Sequence, residues 1–112
     1  VLGHAKVGAS GKGFEIEQVI RQLRARPEEC FFWRTHTGAE LDLLVVRGRR
    51  RFGFEIKRTS SPAMTPSMRT ALADLKLDSL TVVHAGEHDF PMERRVRAMA
   101  WKSLLAEVRP LD

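Results

Sequence analysis

The stretch Glu40-Leu41-Asp42-Leu43-Leu44-Val45-Val46-Arg47-Gly48-Arg49-Arg50-Arg51-Phe52-Gly53-Phe54-Glu55-Ile56-Lys57 decides how this chain folds. It reads as two strands joined by a tight basic turn. With Gly48 at the first central position of a two-residue turn, Arg47 faces Arg50. Counting back along both strands puts Asp42 opposite Glu55 and Glu40 opposite Lys57. Side chains alternate faces along a strand, so Asp42, Glu55 and Lys57 are expected on one face, with Glu40 beside Asp42. Like charges opposite each other destabilise a sheet, and a buried carboxylate needs a partner. A divalent cation with an ammonium nearby resolves that conflict; so does a solvated face whose charges keep the hairpin soluble. The hairpin alone leaves both open.

Outward from the hairpin, the first strand carries Leu41, Leu43 and Val45 on one side and Leu44 and Val46 on the other. A strand apolar on both sides is buried between layers, as in an α/β sandwich. Ahead of it, Ile16, Val19, Ile20 and Leu23 follow helical spacing and predict a helix over 13–25, ended by Pro27. At about 100° per residue, Glu17 lies on the edge of that apolar stripe and Glu15 turns away into water. Cys30 to His36 are aromatic and β-prone and read as a strand. After the hairpin come a helix over 64–76, a strand over 80–84, a loop with Glu87, His88, Asp89 and Pro91, an edge strand near 96–101 and a closing helix over 103–108. The passage from the 52–58 strand through a helix to the 80–84 strand reads as a parallel crossover. The expected fold is mixed α/β, with helices on both faces of a sheet of four to five strands.

Residues 1–12 are small and Gly-rich and read as an incoming linker or loop, leaving 13–112 as one domain. Gly8, Gly11 and Gly13 around Lys12 lack the spacing of a phosphate loop, and no Ser or Thr follows Lys12. The chain opens at Val1 in mid-pattern, which suggests a piece of a longer protein. The 112 residues carry 19 Lys and Arg against 14 Asp and Glu, a net charge of +5 that favours a polyanionic partner such as nucleic acid. No apolar run approaches the roughly 20 residues of a transmembrane helix, so no membrane partner is expected. The lone Cys30 fits a reducing, cytoplasmic setting and reads as a small buried side chain. His84, Glu87, His88 and Asp89 have metal-capable side chains but read as structural.

Glu17 on a helix, Asp42 on a strand and Glu55-Ile56-Lys57 on the next form an ordered set that resembles the PD-(D/E)XK nuclease superfamily. The superfamily's restriction-endonuclease-like core, α-β-β-β-α-β, matches the element order. A narrower resemblance is to the domain of unknown function that closes many bacterial and archaeal AAA-type ATPases. It is carried by Lys6-Val7-Gly8-Ala9-Ser10, Gly13-Phe14, Glu17-Gln18, Phe32-Trp33-Arg34-Thr35, Gly38 to Asp42 and Glu55 to Arg58. No Pro precedes Asp42, a departure shared by many superfamily members. The resemblance implies a metal-dependent DNA hydrolase within an ATPase chain. Asp42, Glu55 and the Ile56 carbonyl would hold Mg2+ or Mn2+, and Lys57 would orient or activate water. Glu17 would reach the metal through water or help a second ion. Glu40 would be an accessory residue, paired with Lys57 or Arg34. Arg34, Arg47, Arg49, Arg50, Arg51 and Arg58 would meet nucleic acid.

The resemblance leaves an alternative role, an inactive module for nucleic-acid binding, partner contact or homo-oligomerisation of the ATPase, against which the retained acidic and lysine set weighs. The third carboxylate, Glu17, and the doubly apolar strand favour a metal site over a solvated face.

Overall fold

A computed structural model describes residues 1–4, 11–107 and 109–111. In chain order the elements are β1 (Leu2–His4), α1 (Gly13–Leu23), a 3-10 turn (Pro27–Glu29), β2 (Cys30–Arg34), β3 (Glu40–Arg47), β4 (Arg50–Ile56), α2 (Pro66–Asp74), β5 (Ser79–His84), β6 (Phe90–Glu93), β7 (Val96–Ala100) and α3 (Trp101–Glu107). Gly48 takes φ 60°, and Arg47 faces Arg50 across the turn. The ladder then pairs Val45 with Phe52, Leu44 with Gly53 and Leu43 with Phe54, the register counted from the sequence. Gly53 is needed for space rather than for conformation. A Cβ there would come within 2.7 Å of Leu77 Cδ1 and 3.1 Å of Leu80 Cδ1.

Among the described residues the strands form one seven-stranded sheet in the order β1-β2-β3-β4-β5-β7-β6. β1 to β4 run antiparallel to their neighbours, β4, β5 and β7 run parallel, and β6 closes the far edge antiparallel to β7. The parallel β4–β5 pair confirms the crossover through α2. α2 begins at Thr65, whose hydroxyl accepts a hydrogen bond from the Met68 amide at 3.2 Å, with Pro66 in its first turn. α1 ends where Arg24 turns left-handed, three residues before Pro27.

Two apolar clusters sandwich the sheet. Met68 and Ala71 of α2 pack with Leu41, Leu44, Leu80 and Val82. Val19 and Leu23 of α1 and Leu104 of α3 pack with Leu43, Val45, Phe54 and Val83. β3 feeds both clusters, the expected cause of its doubly apolar sequence, but Leu41 packs with Leu44 rather than with Leu43 and Val45, because a bulge between them breaks the strict alternation. Cys30 is buried, and burial pushes its thiol up to about 11, which keeps it protonated and inert near neutral pH.

Three expectations need correction. The sheet has seven strands rather than four to five. Leu2–His4 is not linker but β1, paired with Phe31, Phe32 and Trp33; the rest of the expected loop, 5–10, lies outside the described residues, as does the Lys6–Ser10 stretch. Val96–Ala100 is an inner strand, because Phe90–Glu93, expected as loop, is the edge strand β6. Short edge strands carry Pro and charge, as Pro91 and Glu93 do here, so their composition is that of a loop.

Leu44 is 1% exposed at the centre of this sandwich. Leu44→Ala is expected to cost about 2–5 kcal/mol in urea unfolding. Leu105→Ala, at a side chain 47% exposed, should stay within about 0.5 kcal/mol of wild type. Equal midpoints for the two variants would refute the layer assignment.

Candidate functional site

The β3–β4 ladder stops at Leu43 and Phe54, although both strands continue. Beyond that point β3 stays with β2, reaching Arg34 opposite Glu40, while β4 stays with β5, reaching Ile56 opposite Val83. The sheet therefore forks. A bulge helps open it: Phe31 faces Leu44 and Trp33 faces Leu41, so β3 spends three steps where β2 spends two. The extra residue lies in the Asp42–Leu43 region, and such bulges re-aim side chains.

At the fork two carboxylates replace the missing ladder. The Asp42 amide donates to Glu55 Oε1 at 3.1 Å, and the Ile56 amide donates to Asp42 Oδ2 at 2.8 Å. Each acid satisfies a backbone donor on the opposite strand. Lysines flank them: Lys12 Nζ lies 3.0 Å from Asp42 Oδ2, and Lys57 Nζ lies 3.5 Å from Glu55 Oε2. Glu55 sits between Phe54 and Ile56, both of which pack in the cluster under α1 and α3, and is itself 3% exposed. Burial, and then the Asp42 carboxylate beside it, push the Glu55 carboxyl up to about 7; Lys57 and Lys12 pull the other way without cancelling the rise. Asp42, Glu55 and Lys57 thus come together as expected, although the paired register ends one step short of Asp42 and Glu55 and the side-chain hydrogen bonds make the junction.

Glu17 does not join them. Its described ion pair is with Arg21, one helical turn on, at 2.9 Å. The helix presents Glu15 inward instead, correcting the expectation that it meets water: its side chain is 20% exposed, and Oε1 lies 3.5 Å from the Arg58 guanidinium. The stripe itself packs on the sheet as expected, and Glu15 is covered because Arg58, which follows β4, reaches across to it and to the Gly11 carbonyl. Lys12, set aside as a failed phosphate-loop lysine, is the site residue that sequence reasoning missed. Its signal was only its place before α1; its contact with Asp42 spans 30 residues of sequence.

The arginines are largely committed. Arg47 holds Glu29 through two hydrogen bonds of 2.8 and 2.9 Å. That contact above all, with the Arg26 amide, draws the Glu29 carboxyl down to about 2. Arg51 donates to the Leu75 carbonyl at 3.0 Å, and Arg50 lies over the Phe52 ring at 5.7 Å. Arg58 donates to the Gly11 carbonyl at 2.7 Å. Arg34 pairs with Glu40 at 3.8 Å, which takes Glu40 away from Lys57. Arg49 is exposed at the turn.

Among the described residues, no three or more His, Cys, Asp and Glu side chains cluster as metal ligands, and no helix is long and apolar enough to cross a membrane. Two carboxylates and a neighbouring carbonyl nevertheless suit magnesium, which takes one or two protein carboxylates and fills its remaining positions with water and substrate oxygen.

A mixed sheet that forks around a paired aspartate and glutamate, each flanked by lysine, defines an α/β domain with a buried acid–lysine site. The chain belongs to DUF4143, a domain of unknown function whose family matches residues 8–104. Domains of this family sit in AAA-ATPase-associated proteins. Uncharacterized proteins of Mycobacterium tuberculosis (Rv2008c) and Mycobacterium bovis (Mb2031c) are each 47% identical to it over 100 residues, 89% of this chain. The chain spans 22% of the length of those relatives. No solved structure matches it.

Glu55 gives the site a pH signature. An unfolded glutamate ionises near 4.5, whereas the folded one holds its proton to about 7. Between these values the native state binds more protons, so stability falls as pH rises through the window and levels off above it. Glu55→Gln keeps the acceptor for the Asp42 amide and removes the buried charge. In chelator near pH 8 it should be more stable than wild type by about 1–3 kcal/mol, with the difference vanishing towards pH 4. Denaturant curves showing a pH-independent difference would refute this protonation.

Proposed function

We propose that this chain is a PD-(D/E)XK nuclease-like domain that hydrolyses DNA phosphodiesters with a divalent metal, as part of a longer cytoplasmic ATPase chain. The observation that carries the reading is the reciprocal Asp42–Glu55 bridge across the fork, with Lys57 3.5 Å from Glu55. Asp42, Glu55 and the Ile56 carbonyl would hold Mg2+ or Mn2+. The ion would supply charge stabilisation at the non-bridging phosphate oxygen. Asp42 and Glu55 supply anionic oxygen, and the rise of Glu55 to about 7 marks an electrostatic conflict that a cation relieves. Lys57 would hold a water beside Glu55 or stabilise charge growing on the phosphate. The net charge of +5 favours the polyanion.

A second reading has its own support. The Lys12 ammonium already neutralises Asp42, and Arg47, Arg51 and Arg58 are tied to protein partners. A domain held together this way also serves as an inactive module for nucleic-acid or partner contact, or for self-association of the ATPase.

Calorimetric titration with manganese separates the two. The nuclease reading expects saturable binding that Asp42→Ala abolishes, together with Asp42-dependent cleavage of branched, single-stranded or duplex DNA in manganese. Equal background cleavage by wild type and Asp42→Ala, with no Asp42-dependent ion binding, would leave the inactive module.

A further inference from the structure

The end of the sheet opposite the fork carries charge of another kind. The parallel strands β4, β5 and β7 all begin there, so the β3–β4 turn at Gly48–Arg49 and the β6–β7 turn at Arg94–Arg95 share it. Backbone bonds fix the two turns on either side of the entry to β5. The Asp78 amide donates to the Arg51 carbonyl at 2.8 Å, and the Leu80 amide donates to the Arg95 carbonyl at 2.7 Å. α1 and α2 finish at the same end. Arg47 Nη2 reaches the Arg24 carbonyl at 3.5 Å, and Arg51 Nη1 reaches the carbonyl of Leu75, just before Lys76, at 3.0 Å.

Arg24, Arg49, Lys76, Arg94 and Arg95 therefore gather at one end of the domain, all of them exposed. Their side chains make no hydrogen bond or ion pair among the described residues. At the fork end each described cation meets a carboxylate: Lys12 faces Asp42, Arg34 faces Glu40, Lys57 faces Glu55, Arg58 faces Glu15 and Lys102 faces Glu87. Acids do stand near the five. Asp78 is taken up by the Arg51 amide at 2.7 Å and Glu93 by Arg69 at 2.9 Å, while Glu28 and Asp74 face solvent. The uncompensated positive charge thus lies away from the acid pair.

Backbone conformation singles out the same residues. Among the described residues, the non-glycine positions with left-handed backbone are Arg24, Lys76 and Arg95, at φ 55°, 51° and 67°. An L side chain is crowded there, and glycine or asparagine is the usual occupant. All three positions carry a cation instead. The negative ends of α1 and α2 favour a cation at Arg24 and Lys76. They do not account for Arg95, which follows a strand, nor for Arg49 and Arg94. Exposed, unpaired side chains kept at strained positions point to a partner outside the chain.

We propose that this end of the sheet docks the phosphodiester backbone of a nucleic-acid duplex, without regard to base sequence. Guanidinium groups match phosphate oxygens through paired hydrogen bonds. The two turns flank β5 and so lie about 10 Å apart, a span of about three phosphates along one strand. None of the turn residues 48–51, 75–78 and 94–95 is aromatic. An interface with another protein is centred on aromatic and apolar anchors, and single strands stack their bases on aromatic rings. A surface of arginine and lysine alone suits duplex backbone. Along β4, Glu55 lies about 17 Å from Arg50, so a duplex seated here meets the protein far from the fork. The surface anchors nucleic acid with or without cleavage; it extends the proposed function and does not rest on hydrolysis.

The test is fluorescence anisotropy of short labelled DNA duplexes of two unrelated sequences with the full chain, in chelator, across a salt series. Both duplexes should bind with equal affinity, and log affinity should fall linearly with log salt. The triple variant Arg24→Gly, Lys76→Gly, Arg95→Gly places at each left-handed position the residue that suits it, so the protein should stay folded. It should bind about tenfold or more weakly, with a salt slope shallower by about 2.7, or roughly 0.9 for each lost phosphate contact. Arg49→Gln with Arg94→Gln, at ordinary backbone positions, should lower the slope by about 1.8. Lys102→Gln removes one charge at the fork end, beyond a Debye length, and should change affinity less than about twofold. Arg95→Gly alone should weaken binding about threefold or more. The proposal is overturned if no duplex, or only one of the two sequences, binds. It is overturned equally if either folded multiple variant keeps wild-type affinity and slope, or if Lys102→Gln weakens binding as much as Arg95→Gly. Poly-glutamate binding as tightly as the duplex would assign the surface to an acidic protein and overturn it too. Because no metal is present, failure here leaves the manganese experiment standing, and failure there leaves this one standing.

Discussion

Two crossed hydrogen bonds hold the place on which the rest depends. Where β3 and β4 part, the Asp42 amide and the Ile56 amide would be orphaned donors, and an unpaired buried donor is expensive. Glu55 and Asp42 accept them instead. The strands can separate without losing those bonds, and two acids are drawn together inside the protein. Structure and chemistry are therefore one arrangement: the groups that close the fork are those that make it electrostatically unusual. The coupling explains why Glu55 remains buried despite a shared negative charge, with a carboxyl pushed up to about 7.

The basic residues follow the same economy. An excess of positive charge invites the picture of a surface laid out for phosphate. Yet Arg47 is spent on Glu29, anchoring the hairpin's turn end to the 3-10 turn before β2, and Arg51 ties β4 to the end of α2. Arg58 secures the backbone at Gly11, just before α1, and meets Glu15, and so helps hold Lys12 at the fork. Charges that look free in one dimension act as braces in three. The local electrostatics near the strand ends then rest on Lys12, Lys57 and Arg58 rather than on the turn.

Much of this was legible in the chain. The turn chemistry at Gly48 and the alternating pattern specified the hairpin register, because a one-residue slip would move every side chain to the wrong layer. That register brings Asp42 against Glu55 from the sequence alone. The parallel crossover and both apolar faces of β3 followed from local pattern, since β-branched runs, Pro and Gly act over short range. The outer strands were not legible. Leu2–His4 and Phe90–Glu93 are short, and their partners lie far away in sequence. Glu15 and Glu17 were assigned opposite surroundings, because helical spacing gives relative angles around an axis but not which side chains of other elements reach across to the helix.

By itself, then, the sequence determined the hairpin, its register, the layered α/β class and the meeting of Asp42, Glu55 and Lys57, all of which arise from residues close together along the chain. Tertiary structure decided that the strands fork at those residues, that Lys12 rather than Glu17 completes the set, and that Glu15 is covered and met by Arg58. Those outcomes depend on a bulge, a helix approach and the packing of parallel strand ends. Each is fixed by contacts across long stretches of chain, where the free energy of burial outweighs local preference.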